Sequence, residues 1–600
     1  MPSPVASPPP PAAQTFADTD PGYAFADPDR KTKLLAAAPK IDAALADELV
    51  KQGGGGVSVG LVIDGELVWS KGYGVVDVDT KTVPDADTQY RIGSISKSFS
   101  ALGIMALRDE GALRLDDPLV DYLPEASGLV YPTRDSRPIT LRQLLTHTSG
   151  LTRDVDFLKT GDERTFLAQL AGLPVDNPPG QQWVYSNLGF ALLGIIVGRA
   201  SHTTVADALA KRVFGPLGMT STGVDESPKL APAYEPDNHT RRAKTDHLGV
   251  AAGAGGIYST VRDMSKYVAF QLSAYPARSG PDTGIVKRAT LRDEHSTGVL
   301  EAANVRQRDA KRGEPTVELG TASYGFGWQH HITCLADDLV EHGGAIDSYR
   351  ANVQFLTHHG VGIVVLSNFG NANTFAFGAR VVDELRATGA LQPYVAHPTL
   401  LPALDKTVQA FLGVYNHWDP EALQLLLARP ISPEEKAELA GYHKLHGDCS
   451  AVALVEATSP KEARYAATCA HGALDLTMIG APDGRLRGFF GTSRKVAPPP
   501  EVEAAAKTIL ALVAKWDEAL FARTFADPEH AHDAIKRGTE LIRAEVGTCK
   551  LEEFVHEAFD WRFEATCARG PDRRFDLGLT GPKISRVNQR PLEQTTCPVK

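Results

Sequence analysis

The feature that most constrains the fold is a long-range repeat in the last third of the chain. Three residues recur ninety-eight positions later in the same order: Trp418, Arg464 and Cys469 correspond to Trp516, Arg562 and Cys567. A shared displacement at three separated positions indicates an internal duplication. In each copy helical patterns precede short strand patterns, so we predict two small α+β repeat domains at 404–497 and 501–600.

The cysteines follow the same repeat. Four of the six cysteines form matched pairs, Cys449 with Cys469 and Cys549 with Cys567. One disulfide inside each copy is the simplest interpretation, and four buried free thiols are the alternative. A zinc site is less favoured, because no nearby histidine spacing repeats with the cysteines. Disulfides would indicate an oxidising compartment. We therefore expect an extracytoplasmic protein, periplasmic or secreted, with removal of an export signal as one route.

Composition limits the classes of protein to which this chain can belong. The formal net charge of −11 over 600 residues argues against a nucleic-acid-binding protein, which would present a basic face. No apolar run reaches the length of a membrane span. Residues 1–22 are rich in Pro, Ala and Ser, which predicts a disordered or polyproline-II tether. From 23 to 393, helix and strand patterns alternate with short turns, which predicts one globular domain.

Ser94 is the first candidate for chemistry. It stands before an apolar helical pattern that runs from Ala101 to Glu110, and Lys97 follows at i+3 on the same helical face. The positive end of the helix dipole favours a developing anion at Ser94. A lysine can take the serine proton if burial and neighbouring positive charge lower its pKa. The alternative role for Ser94 is an ordinary helix N-cap.

A second motif, Tyr185-Ser186-Asn187, lies between a Pro-Gly turn and a short apolar helical pattern. A tyrosine can share the role of general base if nearby cations lower its pKa. An asparagine amide can hold both a lysine and a substrate carbonyl. The alternative is a buried tyrosine followed by an asparagine helix cap.

A third motif, His342-Gly343-Gly344-Ala345, precedes a strongly strand-like segment at 361–366. Glycines without side chains allow a substrate to lie along a strand edge. Backbone N–H groups at such an edge can form half of an oxyanion hole. The alternative is a glycine-rich turn with an exposed histidine.

The order S-x-x-K, Y-x-N, H-x-G resembles the serine β-lactamase and penicillin-binding-protein superfamily. The similarity is to its class C-like branch of β-lactamases, D-alanyl-D-alanine carboxypeptidases, D-aminopeptidases and related esterases. It extends from about residue 25 to about residue 390 and includes 111–118, 139–151 and 255–260. The resemblance implies an α+β fold with an antiparallel sheet flanked by helices and a helical subdomain. His147, inside the second segment, is interpreted as structural.

The resemblance also implies residue roles for the first two motifs. Ser94 would be the acylated nucleophile and Lys97 its proton partner. Tyr185 would be the base that later protonates the leaving group. Asn187 would bind the substrate.

For the third motif, the resemblance implies a substrate-binding strand at His342 and Gly344. The backbone N–H of Ala345 would form the oxyanion hole together with that of Ser94. His342 stands where many members have a lysine, and a histidine is only partly charged near neutral pH. This departure favours peptide or ester substrates.

We therefore expect a serine hydrolase that acts through an acyl-enzyme on amide or ester bonds, like a peptidase, a D-aminopeptidase or an esterase. The alternatives are an acyltransferase, a true β-lactamase, and a non-catalytic sensor or binding protein. No cofactor and no metal are expected, because adjacent histidines such as His330 and His331 have no further ligands at suitable spacing. The expected partner is a small-molecule or peptide substrate, with no nucleic acid and no transmembrane segment. The oligomeric state stays open.

Overall fold

The computed structural model describes residues 21–591, except for 26, 160–161, 236–237, 244, 246, 297, 309–315, 334–335, 399–401, 495–496, 558–559 and 570–571. Residues 1–20 of the predicted tether lie outside the described residues, and Pro21 and Gly22 belong to the first strand. The chain divides into two compact units. The first unit contains Phe25–Tyr394, and the second contains the segment that begins at Val395 together with the first strand.

The elements up to residue 398 follow in chain order. The strands are β1 (Pro21–Ala24), β2 (Gly56–Ile63), β3 (Glu66–Gly74), β4 (Tyr90–Arg91), β5 (Gly223–Val224), β6 (Tyr234–Glu235), β7 (Asn238–Arg242), β8 (Ile257–Ser259), β9 (Val299–Arg308), β10 (Thr316–Tyr324), β11 (Gln329–Thr333), β12 (Ala336–Ile346), β13 (Tyr349–Leu356), β14 (Val361–Ser367) and β15 (Val395–Pro398). The helices are α1 (Arg30–Leu35), α2 (Ala38–Lys51), α3 (Ser96–Asp109), α4 (Leu141–Leu145), α5 (Glu163–Ala168), α6 (Asn187–Ala200), α7 (Val205–Leu209), α8 (Ala252–Gly255), α9 (Val261–Leu272), α10 (Arg288–His295) and α11 (Thr374–Arg386).

The first unit is built around an antiparallel sheet with the strand order β3-β2-β14-β13-β12-β11-β10-β9. Strands β2 and β14 are buried along their whole length. Because side chains alternate between the two faces of a strand, Val365 faces a core formed with α2 and α11, whereas Val364 faces a core formed with α9. Burial on both faces explains why these strands are continuous apolar runs.

A group of buried helices adjoins this sheet. Helix α3 is buried from Ser96 to Leu107 and packs against α6, which is buried from Leu188 to Gly198. Gly103 allows this contact, since a Cβ there would lie 3.0 Å from Val197. Helices thus flank an antiparallel sheet, which confirms the predicted α+β class.

No single helix of the described residues is long and apolar enough to cross a membrane. The bent pair formed by Asn187–Ala200 and Val205–Phe214 meets that test only when both parts are taken together.

The second unit contains two halves with the same order of elements. The first half contains α12 (Pro402–Asn416), α13 (Pro420–Leu426), α14 (Pro433–His446), β16 (Cys449–Ser459), β17 (Glu462–Cys469), β18 (Ala473–Gly480) and β19 (Leu486–Arg494). The second half contains α15 (Pro500–Ala514), α16 (Glu518–Thr524), α17 (Pro528–Val546), β20 (Cys549–Glu557), β21 (Asp560–Cys567), β22 (Arg573–Thr580) and β23 (Lys583–Pro591). Strand β19 pairs antiparallel with β20, so both halves share one sheet in the order β16 to β23.

Each half has its own apolar core, and each carries one disulfide. Cys449 lies directly opposite Cys469 on β16 and β17, and Cys549 lies opposite Cys567 on β20 and β21. The bonds join these opposed residues. Each disulfide therefore closes the first hairpin of its half.

Replacing Cys449 and Cys469 together by alanine should lower the free energy of unfolding of the second unit by roughly 3 kcal/mol, because the bond closes a loop with a sequence separation of 20. The Cys549 and Cys567 pair, with a separation of 18, should cost a similar amount. Urea unfolding of both double variants, with and without reductant, measures the effect. An unchanged midpoint in either variant would rule out a contribution from that bond.

Candidate active site

Ser94 lies in a short 3₁₀ turn, Gly93–Ile95, directly before α3. Gly93 has a φ of +53°, and a Cβ at this position would lie 2.7 Å from the backbone nitrogen of Ala345. A side chain here would be both strained and obstructed. Gly93 therefore allows β12 to run directly beside the turn that carries Ser94.

Lys97 lies at the start of α3 and is fully buried. Its Nζ lies 2.6 Å from the carbonyl oxygen of Ala254, 2.7 Å from Asn187 Oδ1 and 3.2 Å from Ser94 Oγ. The first two oxygens can only accept hydrogen bonds. A neutral amine has two hydrogens for these two acceptors and keeps its lone pair for the Ser94 hydroxyl.

The electrostatic surroundings also favour the neutral form of Lys97. Burial lowers the pKa of Lys97 well below its ordinary value of 10.5. The positive charge of Arg153 lowers this pKa further, and the negative charge of Asp154 partly opposes both effects. Loss of hydration penalises a charged amine more than a neutral one.

Tyr185 lies in the loop before α6, and its hydroxyl shares a hydrogen bond with the Ser94 side chain. Lys97 Nζ lies 4.8 Å and Arg153 Cζ lies 4.9 Å from the centroid of its ring. Burial nevertheless raises the pKa of Tyr185, and the Ser94 hydrogen bond and Arg153 only partly oppose it. Tyr185 is therefore a protonated phenol at neutral pH.

Asn187 begins α6, which Ser186 caps with its side-chain oxygen. Asn187 Oδ1 accepts from Lys97, and Nδ2 donates to Asp154 Oδ1 at 2.6 Å. The Asn187 backbone N–H donates to the carbonyl oxygen of Arg153 at 2.7 Å. The loop of Arg153 and Asp154 is thus part of the site. Sequence reasoning missed it, although the loop directly follows the segment 139–151.

His342 lies on β12 and is buried. Its Nδ1 lies 2.6 Å from the carbonyl oxygen of Gly343, which can only accept, so Nδ1 carries the proton. Its Nε2 then accepts from the Tyr324 hydroxyl at 3.0 Å. Burial lowers the pKa of His342 to about 3. The sequence predicted a partly charged His342, whereas His342 is neutral in the structure.

The glycines after His342 bring β12 close to the turn that carries Ser94. Strand β11 pairs with β12 as far as Glu341 in the described ladder. A Cβ at Gly344 would lie 1.9 Å from the carbonyl oxygen of Ile92, which no side chain could tolerate. This approach brings the backbone of Ala345 beside Gly93, the residue before Ser94.

His147 contacts two residues of the second motif. Its Nδ1 accepts from the backbone N–H of Ser186 at 3.0 Å. Its ring centroid lies 4.3 Å from that of Tyr185 and 4.6 Å from that of Tyr324. Burial lowers the pKa of His147 well below its ordinary value, so it is neutral. His147 therefore holds the loop that carries Tyr185 in place.

The remaining histidine pairs do not form a metal centre within the described ranges. His331 Nε2 lies 3.1 Å from Glu341 Oε1. No group of three or more His, Cys, Asp or Glu side chains there is arranged to hold a metal ion.

Two curated relatives are similar to parts of this chain. Beta-lactamase-like protein 2 of Dictyostelium discoideum is 35% identical over 251 residues, which cover 38% of this chain and 45% of that protein. Protein flp of Staphylococcus aureus strain COL is 25% identical over 342 residues, which cover 55% of this chain and 63% of that protein. The chain thus spans less than two thirds of the length of these relatives.

Solved structures and a family model complete the comparison. A class C beta-lactamase aligns with a TM-score of 0.46 and 19% identity, over 60% of this chain and 99% of that chain. The octameric penicillin-binding protein homologue from Pyrococcus abyssi aligns with a TM-score of 0.48 and 17% identity, over 91% of this chain and 97% of that chain. The family model described as beta-lactamase matches residues 41–387. Because this match covers more than half of the 600 residues, the chain belongs to the beta-lactamase family, as the three motifs predicted.

Proposed function

We propose that the protein is a serine hydrolase that cleaves an amide or ester bond through an acyl-enzyme on Ser94. The observation that carries the proposal is the 3.2 Å contact between Lys97 Nζ and Ser94 Oγ. The other two neighbours of the amine are acceptors, so its lone pair is directed to the serine. This contact supplies the base that a serine hydroxyl needs before it can attack a carbonyl.

In the first step, Ser94 Oγ forms a bond to the substrate carbonyl carbon, and its proton moves to Lys97 Nζ. The negative charge that develops on the carbonyl oxygen is stabilised by the backbone N–H groups of Ser94 and Ala345. The intermediate then re-forms the carbonyl and breaks the bond to the leaving nitrogen or oxygen. The leaving group takes a proton from Tyr185, and the proton on Lys97 restores the phenol.

These reaction steps divide the acid and base roles between two residues. The resemblance assigned the base to Tyr185. Because burial lowers the pKa of Lys97 and raises that of Tyr185, we assign proton acceptance to the amine and proton donation to the phenol. Asn187 holds Lys97 and, by the same resemblance, contacts the substrate.

In the second step, water attacks the acyl carbonyl carbon and gives one proton to Lys97. The intermediate then breaks its bond to Ser94 Oγ and releases the acid, and Oγ takes the proton back from Lys97. We propose a peptide-like or ester substrate. The support is the neutral state of His342, which cannot supply the constant positive charge of a lysine. An amine or alcohol in place of water would give acyl transfer by the same route.

We also propose an extracytoplasmic location. The support is the pair of disulfides in the second unit, because such bonds persist mainly in oxidising compartments.

The first prediction concerns the nucleophile. Ser94→Ala should lower turnover at least about 1000-fold, because no other group replaces the attacking oxygen. Initial rates are measured on a short-chain nitrophenyl ester, a D-alanine nitroanilide and a cephalosporin, each with and without an added alcohol. We expect turnover of the ester or the anilide. Full activity of the variant would contradict the proposal, and absence of both turnover and covalent labelling of Ser94 would indicate a binding protein.

The second prediction separates Lys97 from Tyr185. Lys97→Ala should slow acylation at least about 100-fold with any leaving group, because the base is lost. Tyr185→Phe should slow acylation much more with a nitroanilide than with a nitrophenyl ester, because nitrophenolate leaves without a proton. Single-turnover rates on both substrates measure this. An equal loss on both leaving groups in the phenylalanine variant would contradict the donor role.

The third prediction compares two adjacent glycines. Gly344→Ala should slow acylation on the order of 100-fold, because its Cβ meets the backbone of Ile92 and displaces the strand from the nucleophile. Gly343→Ala is the matched control, since its Cβ meets only the ring of Phe375, which is 43% exposed and can rotate away. Similar losses in both variants would argue against the oxyanion role of this strand.

A further inference from the structure

Arg153 lies beside the candidate active site, and its side chain is 66% exposed. Its guanidinium carbon lies 4.9 Å from the centroid of the Tyr185 ring, and the Tyr185 hydroxyl reaches Ser94. Its backbone carbonyl accepts from the N–H of Asn187 at 2.7 Å. The Tyr185 side chain therefore lies between the guanidinium of Arg153 and Ser94. The second motif binds the backbone of Arg153.

We propose that Arg153 selects acyl donors that carry a carboxylate, and that it thereby provides the cationic anchor of this site. The inference rests on the proposed hydrolase function and specifies its substrate class. The loop after Leu151 would then supply the positive charge that the neutral His342 does not.

The other basic side chains of the site are not available to an anionic substrate. Lys97 is fully buried, and its three neighbours account for the two hydrogens and the lone pair of a neutral amine. His342 is buried, and both of its ring nitrogens have hydrogen-bond partners. Among the motif side chains and the loop that adjoins them, the structure thus offers Arg153 as the solvent-facing cation.

Within the described part of the chain, the ion pair of Arg153 uses only the Nε of its guanidinium. The described ion partner of Arg153 is Asp154, which Arg153 contacts through Nε at 3.4 Å. Asp154 also accepts from Asn187 Nδ2 at 2.6 Å, so its carboxylate is held toward the helix start. The two terminal nitrogens of the guanidinium can still form the paired hydrogen bonds that match a carboxylate.

The opposite preference, for a positively charged substrate, would rest on Asp154. Asp154 is 55% exposed and could attract an ammonium group of a substrate. The two alternatives predict opposite responses to substrate charge, so one set of esters distinguishes them.

The test uses the intact protein and three nitrophenyl esters of equal chain length: hexanoate, the half-ester of adipate, and the ammonium-terminated hexanoate. We expect kcat/KM for the anionic ester to exceed that of the neutral ester by about tenfold at low salt, which corresponds to about 1.4 kcal/mol. The ratio should fall with rising ionic strength, because the contact is exposed. Arg153→Gln should bring the ratio close to one, and Arg153→Glu should shift the preference to the cationic ester.

The control is Arg262→Gln, which removes a 53% exposed arginine on α9 that is paired with Asp87. It should leave the ratio unchanged. If the ratio of kcat/KM between the anionic and neutral esters is the same before and after Arg153→Gln, the inference is overturned and the proposed function stays intact. A preference for the cationic ester in the wild type would overturn it in favour of Asp154. Absence of turnover on all three esters would count against the proposed function itself.

Discussion

The site depends on one buried amine. Lys97 is held by two oxygens that can only accept, from Ala254 and Asn187, and the remaining direction of its Nζ is toward Ser94. A charged ammonium would have to be stabilised here without solvent, at a high cost in hydration energy. The fold therefore stabilises a neutral lysine at the position where a serine needs a base. The turn before α3, the first residue of α6 and helix α8 all meet at this one nitrogen.

Close backbone contacts make this meeting possible. A Cβ at Gly253 would lie 2.8 Å from Ser100 Oγ and 2.9 Å from the Cα of Gly194, so only a glycine lets α8 reach both α3 and α6. This approach carries the Ala254 carbonyl to Lys97. At the other side, Gly344 allows β12 to pass the carbonyl of Ile92. Small residues at these crossings thus allow both the packing and the proposed chemistry.

The sequence predicted the parts of this arrangement that depend on local pattern. The i+3 spacing of Ser94 and Lys97, the apolar run of β14 and the helix after Asn187 are all periodic signals. The α+β class came from the family resemblance that the three motifs carry. The charge state of His342 was not predictable, because it depends on the burial of its ring in the folded chain. The sequence also did not indicate that Ala254 would contact Lys97 or that Asp154 would contact Asn187. A backbone carbonyl group and a carboxylate in a surface loop have no sequence signature. The joining of both C-terminal halves into one sheet rests on the pairing of β19 with β20, which repeat spacing alone does not specify.

The most direct test of the account is the pH dependence of Ser94 phosphonylation by a fluorophosphonate, in which Oγ displaces fluoride, followed by intact mass and peptide mapping. A lysine base must be unprotonated to act, so the rate falls as the pH drops through its pKa and levels off above it. Because burial lowers the pKa of Lys97 well below 10.5, the account predicts that the rate reaches its plateau well before that pH. A rate that still rises through pH 10.5, or a label on any residue other than Ser94, would contradict it.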